Sequence, residues 1–223
     1  MSINRQIEYL NNDKEIIRPF GPTIYKGVIS DEMYDTLCEW HSAESYDEQL
    51  DYKNYLFTEF GERTDQMTQS FSFEKSIENT PHVKDELLEH FCHYYGMFTD
   101  SDFPLEMNLQ FKECFTLKNF WLNSQVGTQW QPRHNHGGDL SFIIYLKVPS
   151  DEGITTFEYG EKLPGSTDVF RNVPEEKEIV VFPAWLKHQA FPLNPESEPR
   201  VTYAGNAIID TGNNDFTLLK NLK

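Results

Sequence analysis

From about residue 105 onward the chain is written in short β-rich runs separated by Gly, Pro, Asn and Asp. The runs are NLQFKECFTLKNFWLN, SFIIYLKV, GITTFEYG, EIVVFP and VTYAGNAII. β-Branched and aromatic side chains fit a pleated, half-buried surface, and Gly, Pro, Asn and Asp mark the turns between them. This texture predicts a β-sandwich or barrel rather than βαβ units. Within it, LSFIIYL (140–146) is almost continuously apolar, as a strand must be when both of its faces are covered.

The first part of the chain reads differently. EIIRPFGPTIYKGVI (15–29) is an extended segment punctuated by Pro19, Gly21 and Pro22. A helix follows, with Ser30 as its cap, Asp31 and Glu32 in its first turn, and Met33, Leu37 and Trp40 as its core-facing stripe. A second helix starts at Thr80–Pro81 and carries Val83, Leu87, Phe91 and Tyr94 at helical spacing. Residues 44–79 are polar and carry no clear periodicity, which suits a long loop or an insertion near the active site. The expected architecture is one domain over residues 1–223. Residues 1–104 form a helical and extended N-terminal part, and 105–223 a jelly-roll (double-stranded β-helix, cupin-like) core.

Charge limits the partners. With 36 acidic against 19 basic residues the formal net charge is −17, which repels phosphate backbones and anionic lipid surfaces. No nucleic-acid or membrane partner is expected, and the acidic surface leans toward a neutral or cationic substrate. No apolar run approaches the length of a membrane helix, and the N-terminus lacks the apolar segment of a secretory signal, so a cytoplasmic protein is expected. Cys38, Cys92 and Cys114 are widely spaced and form no C-x-x-C pair, which argues against a disulfide framework or a zinc ribbon.

Two constellations carry chemistry. In R-H-N-H-G-G-D (133–139), strand alternation would project His134 and His136 from one face, where two imidazoles can ligate one metal ion. Gly137 and Gly138 then allow a turn that could bring Asp139 back to the same place. The pair alone does not choose between iron and zinc, and it also suits an ordinary polar loop. Further on, EIVVFP stops at Pro183 and AWLKH places His188 just past a turn, with Arg200 opening the next run. A late histidine followed by an arginine supplies a third metal ligand and a planar fork for a carboxylate. Arg200 could instead pair with Glu196 or Glu198. His90 and His93, three apart on the second helix, and His41 beside the first read as packing or surface histidines.

These residues resemble the 2-oxoglutarate- and iron(II)-dependent oxygenase superfamily. The resemblance is to the prolyl-hydroxylase-like group found in marine bacteria and their tailed phages. It rests on P-F-G-P-T-I-Y, H-N-H-x-x-D-L-S-x-x-x-Y-L, V-V-F-P-A-W-L-x-H and R-V-T-Y-A-G-N. It implies an enzyme, a hydroxylase with iron(II) as cofactor and 2-oxoglutarate as cosubstrate, working with O2. It implies a metal site of His134, position 136 and His188, with Arg200 gripping the far carboxylate of 2-oxoglutarate. Tyr145 would assist there, and Asn123 would contact the cosubstrate. If phage-encoded, the protein would work in the host cytoplasm.

Position 136 departs from the family pattern. It is histidine where most members carry a carboxylate, so either three histidines hold the iron or Asp139 supplies the third ligand. Strand parity favours His136. Trp121, Trp130, Phe142 and Phe157 could line the pocket or simply fill the core. The substrate fits a peptide, an amino acid or a small metabolite. Two other readings share these residues. One is a cupin-like metal-binding or structural domain without 2-oxoglutarate chemistry, and the other a cupin-type dioxygenase with three-histidine iron. Arg200 and Tyr145 separate them, because a structural domain needs no buried carboxylate clamp.

Overall fold

The computed structural model describes residues 6–9, 15–18, 21–43, 68–70, 74–96, 110–149, 153–160 and 167–210. All strand pairs in it are antiparallel and form two sheets. The larger sheet contains β1 (Gln6–Tyr9), β2 (Glu15–Arg18), β3 (Ile24–Val28), β4 (Thr68–Ser70), β5 (Phe115–Gln125), β7 (Leu140–Lys147), β10 (Glu178–Pro183) and β12 (Arg200–Ile209). Its order is β1-β2-β3-β10-β7-β12-β5-β4. The smaller sheet contains β6 (Gln131–His134), β8 (Thr155–Gly160), β9 (Thr167–Asn172) and β11 (Lys187–Ala190), in the order β6-β11-β8-β9. This is the expected double-stranded β-helix, mainly β.

The central strands of the larger sheet are apolar on both faces, which explains their continuous runs. Along β7, Phe142, Ile144 and Leu146 belong to a cluster with Leu37, Leu87 and Phe91 of the helices, whereas Ile143 and Tyr145 join a second cluster with Phe157 and Phe182. Strand parity therefore divides each central strand between a helix-covered face and an interior face turned to the smaller sheet. The interior face receives Trp121, Tyr145 and Ala204. Gly205 sits where β5 and β7 approach β12. A Cβ there would meet the Asn119 carbonyl and the Phe142 ring, so no larger residue fits without a shift.

The helices are α1 (Asp31–Ala43), α2 (Glu74–Glu78) and α3 (Pro81–Gly96), and a 3-10 turn spans Gln110–Cys114. Ser30 caps α1 through Oγ, which accepts from the Met33 amide at 3.1 Å. Met33, Leu37, Val83, Leu87, Phe91 and Tyr94 are buried as their spacing predicts, and Trp40 packs partly buried against them. Thr80 stands at the start of α3, but its hydroxyl donates back to the Ser76 carbonyl at 2.8 Å instead of capping the α3 amides. The N-terminal part is also less separate than its sequence suggests, because β3 pairs directly with β10 in the larger sheet. Most of the polar stretch 44–79 lies outside the described residues.

Candidate metal centre

His134 and His188 are register partners across β6 and β11, with ring centroids 4.3 Å apart. β6 ends at His134, so His136 lies beyond the strand rather than on it as alternation suggests. Its amide donates to the Ala184 carbonyl at 2.9 Å, and that contact holds the extended path. Its ring stands 4.8 Å from that of His134 and packs 5.4 Å from Trp121. One nitrogen from each of the three imidazoles lies within 4.8 Å of the others.

Backbone carbonyls fix the direction of two rings. His134 Nδ1 lies 2.6 Å from the Pro132 carbonyl, and His188 Nδ1 3.0 Å from the Leu186 carbonyl. A carbonyl can only accept, so each Nδ1 carries the proton and each Nε2 is left with its lone pair. The Nε2 atoms of His136 and His188 are 3.3 Å apart. Two nitrogens bound at right angles to one ion at ~2.1 Å would be separated by ~3.0 Å, so little movement is needed. Burial lowers the pKa of all three. His136 is pushed down to about 4 by burial and then by His134, and His188 falls well below its ordinary value through burial and its two imidazole neighbours. Neutral imidazole is the form that binds metal. Phe182 and Phe157 wall His188 at centroid distances of 4.9 and 5.9 Å.

The same cavity is lined at another point by Arg200 and Thr155. Arg200 is 3% exposed, which is costly for a cation without a counter-charge. Its Nη2 donates to Thr155 Oγ1 at 2.9 Å and its Nη1 to Gln125 Oε1 at 3.4 Å. Nε has no hydrogen-bond partner among the described residues. The guanidinium lies 5.2 Å from the centre of the Tyr145 ring, and the Tyr145 hydroxyl is 2.8 Å from Thr155 Oγ1. Burial raises the Tyr145 pKa, so its hydroxyl stays protonated and can donate. Neither Glu196 nor Glu198 pairs with Arg200.

Residues 119–206 match the family model described as "Putative 2OG-Fe(II) oxygenase". Over these residues the chain is similar to 2-oxoglutarate/iron(II) oxygenases. The fold is shared with solved structures at low identity. The non-heme alpha-ketoglutarate-dependent epimerase SnoN from nogalamycin biosynthesis is similar at TM-score 0.51 and 12% identity, over 83% of this chain and 77% of its own. AviO1 from Streptomyces viridochromogenes Tue57 is similar at TM-score 0.51 and 12% identity, over 85% and 90%. No curated protein sequence matches this chain.

The donor set fits the iron and 2-oxoglutarate that the matched family's description names. Three neutral imidazoles converge, and an unsatisfied buried guanidinium faces the same cavity. Asn123 lines this cavity, held on the interior face by Trp121 Nε1, which donates to its Oδ1 at 3.1 Å, and by Thr202 Oγ1 at 3.3 Å from its Nδ2. Asp139 is not brought into the histidine group. Its Oδ2 accepts the Ile209 amide at 2.8 Å, and its own amide donates to the Ala207 carbonyl at 2.9 Å. Gly138 makes this turn possible with φ +122°, a conformation L side chains rarely adopt. Trp121 and Phe142 line the cavity, and Phe157 is core against His188.

Sequence reasoning missed Thr155 and Gln125. Thr155 sits in the run G-I-T-T-F, where nothing local marks one threonine from the next. Only the register of β8 against β11 separates them. The remaining histidines serve packing. His90 Nδ1 lies 2.9 Å from the Tyr25 hydroxyl, and His82 Nε2 2.9 Å from Thr36 Oγ1. Cys92 and Cys114 are buried free thiols, and Cys38 is partly buried. Among the described residues no helix is long and apolar enough to cross a membrane.

Proposed function

We propose that this oxygenase hydroxylates a peptide, an amino acid or a small metabolite in the cytoplasm, with iron held by His134, His136 and His188. The observation that carries this reading is Arg200. A fully buried guanidinium with no acidic partner, on the cavity that the three imidazoles also line, is a receptor for a carboxylate. A cupin-like structural domain has no use for it.

When bound, iron(II) would supply the chemistry that splits O2, one oxygen atom going into succinate as 2-oxoglutarate loses CO2 and the other into a substrate C–H bond. The chain's own residues do the rest. Pro132 and Leu186 carbonyls hold the Nδ1 protons of His134 and His188, which aims both Nε2 lone pairs into the cavity. Arg200, Thr155 and the Tyr145 hydroxyl grip the far carboxylate of the cosubstrate and set its depth. Phe157 and Phe182 exclude water behind His188.

The test is anaerobic titration of the iron(II) protein with 2-oxoglutarate. A visible charge-transfer band that saturates at one equivalent is expected. Absence of any 2-oxoglutarate binding to the iron(II) protein would overturn the reading in favour of a cupin-like domain.

A further inference from the structure

We propose that Asn172 and Glu178 are positioning residues of the cosubstrate clamp, which set the hydroxyls of Tyr145 and Thr155 so that one hydrogen points at the far carboxylate of 2-oxoglutarate. The inference rests on the reading of Arg200 given above. It adds two residues that do not line the cavity.

The first observation is a polar rung across the interior of the barrel. Ile24, Phe170 and Val180 belong to the same interior cluster as Tyr145. Lys26, Asn172 and Glu178 each stand two residues from one of them on the same strand, so strand parity turns all three to that face. Asn172 and Thr155 are register partners across β9 and β8. With Tyr145 of β7 and Arg200 of β12, six strands each deliver one side chain. All but Lys26 are buried. A buried polar chain that is bonded along its length is held in one arrangement.

The second observation is the direction of the bonds. Lys26 Nζ donates to Glu178 Oε2 at 2.7 Å, and Asn172 Nδ2 donates to Glu178 Oε1 at 2.7 Å. Burial pushes the Glu178 pKa up, and the ammonium and the amide work against that rise. The carboxylate can only accept, so the amide must keep its nitrogen on this side. Asn172 Oδ1 has no partner among the described residues, and the nitrogen carries the contacts. Asn172 also hydrogen-bonds the Tyr145 hydroxyl and lowers its pKa, as a donor to that oxygen does.

The count of hydrogens then closes. Tyr145 and Thr155 share one hydrogen bond of 2.8 Å. Asn172 donates into one end of the pair, and Arg200 Nη2 donates into the Thr155 end at 2.9 Å. The two hydroxyls own two hydrogens and use one between them. The other faces a donor at either end, and the opening left to it is the cavity that Thr155 and Arg200 line. An anion there meets a hydroxyl hydrogen beside the guanidinium. Without the Asn172 amide, the Tyr145 hydrogen can turn back toward Glu178, and Thr155 then donates to Tyr145. The cavity would present an oxygen lone pair to the anion.

The experiment measures 2-oxoglutarate binding to the anaerobic iron(II) protein by calorimetry, in a double-mutant cycle of Asn172→Leu and Tyr145→Phe. Asn172→Leu should weaken binding on the order of 10-fold, while iron(II) affinity without cosubstrate stays within about 2-fold. Asn172 acts through the Tyr145 hydroxyl, so in the Tyr145→Phe protein the same change should cost less than about 2-fold. Glu178→Gln lets the Asn172 amide turn over and should weaken binding about 3-fold. It carries the same cycle if Asn172→Leu does not fold. Wild-type 2-oxoglutarate affinity in either variant, additive losses in the cycle, or a parallel loss of iron(II) affinity overturns the proposal and makes the rung ordinary core. Failure of the unmodified protein to bind 2-oxoglutarate would instead overturn the oxygenase reading, so the two failures are distinct.

Discussion

His134 and His188 face each other as cross-strand partners of β6 and β11, and each donates Nδ1–H to a carbonyl two residues earlier in its own chain segment. The pair is thus oriented by backbone that does not depend on the metal. His134→Ala and His188→Ala should each abolish stoichiometric iron(II) binding, measured by anaerobic equilibrium dialysis, and leave the circular dichroism spectrum unchanged. Full-stoichiometry binding by either variant would remove that residue from the ligand set.

The same three histidines make the metal-free protein acid-sensitive. Their folded pKa values lie below the ordinary histidine value, with His136 at about 4. The unfolded chain therefore takes up protons first as the pH falls. The stability they contribute is complete above about pH 6.5 and is lost as the pH drops toward 4, at up to ~1.4 kcal/mol per pH unit for each proton. Urea unfolding of the metal-free protein between pH 7 and 4 should show this slope. His136→Gln should flatten it. An equal slope in the variant would show that other groups carry the acid sensitivity.

The site was legible in sequence where its parts are local. H-N-H and F-P-A-W-L-K-H each announce themselves by spacing, and Arg200 follows within one return of the chain. Tyr145 was readable only through the family resemblance, since nothing in the apolar run I-I-Y-L itself assigns it a partner. Thr155 was not, because its role arises only when β8 lies beside β11 and Arg200 reaches across the barrel. The pairing of β3 with β10 was hidden for a similar reason, since it joins segments far apart in the chain.

Strand parity favoured His136 over Asp139, and the structure supplies a different reason for the same preference. His136 is placed by its amide contact to Ala184, and the Asp139 carboxylate is occupied by the Ile209 amide. Asp139→Ala should keep full iron(II) stoichiometry and lose ~1 kcal/mol of stability from one unmet amide. His136→Ala should weaken iron(II) binding by more than the ~10–100-fold that losing an outer-sphere partner costs. Reversed effects in calorimetry would make Asp139 the ligand.

Arg200 gives the sharpest separation between metal and cosubstrate. Its planar fork offers two charge-assisted hydrogen bonds to a carboxylate, and lysine cannot reproduce that geometry. Arg200→Lys should weaken 2-oxoglutarate binding by ~2–4 kcal/mol, the cost of breaking a buried charge pair. Tyr145→Phe removes one hydrogen bond to a charged group and should cost ~1.5–3 kcal/mol. Thr155→Val should cost both partners at once, because Thr155 Oγ1 contacts the Arg200 guanidinium and the Tyr145 hydroxyl together. The double variant Arg200→Lys/Tyr145→Phe should lose less than the sum of the two single losses, since both side chains serve one carboxylate. Iron(II) affinity without cosubstrate should barely move in any of them, because none of these residues belongs to the histidine group. Wild-type 2-oxoglutarate affinity in Arg200→Lys would break the link between the buried guanidinium and the cosubstrate.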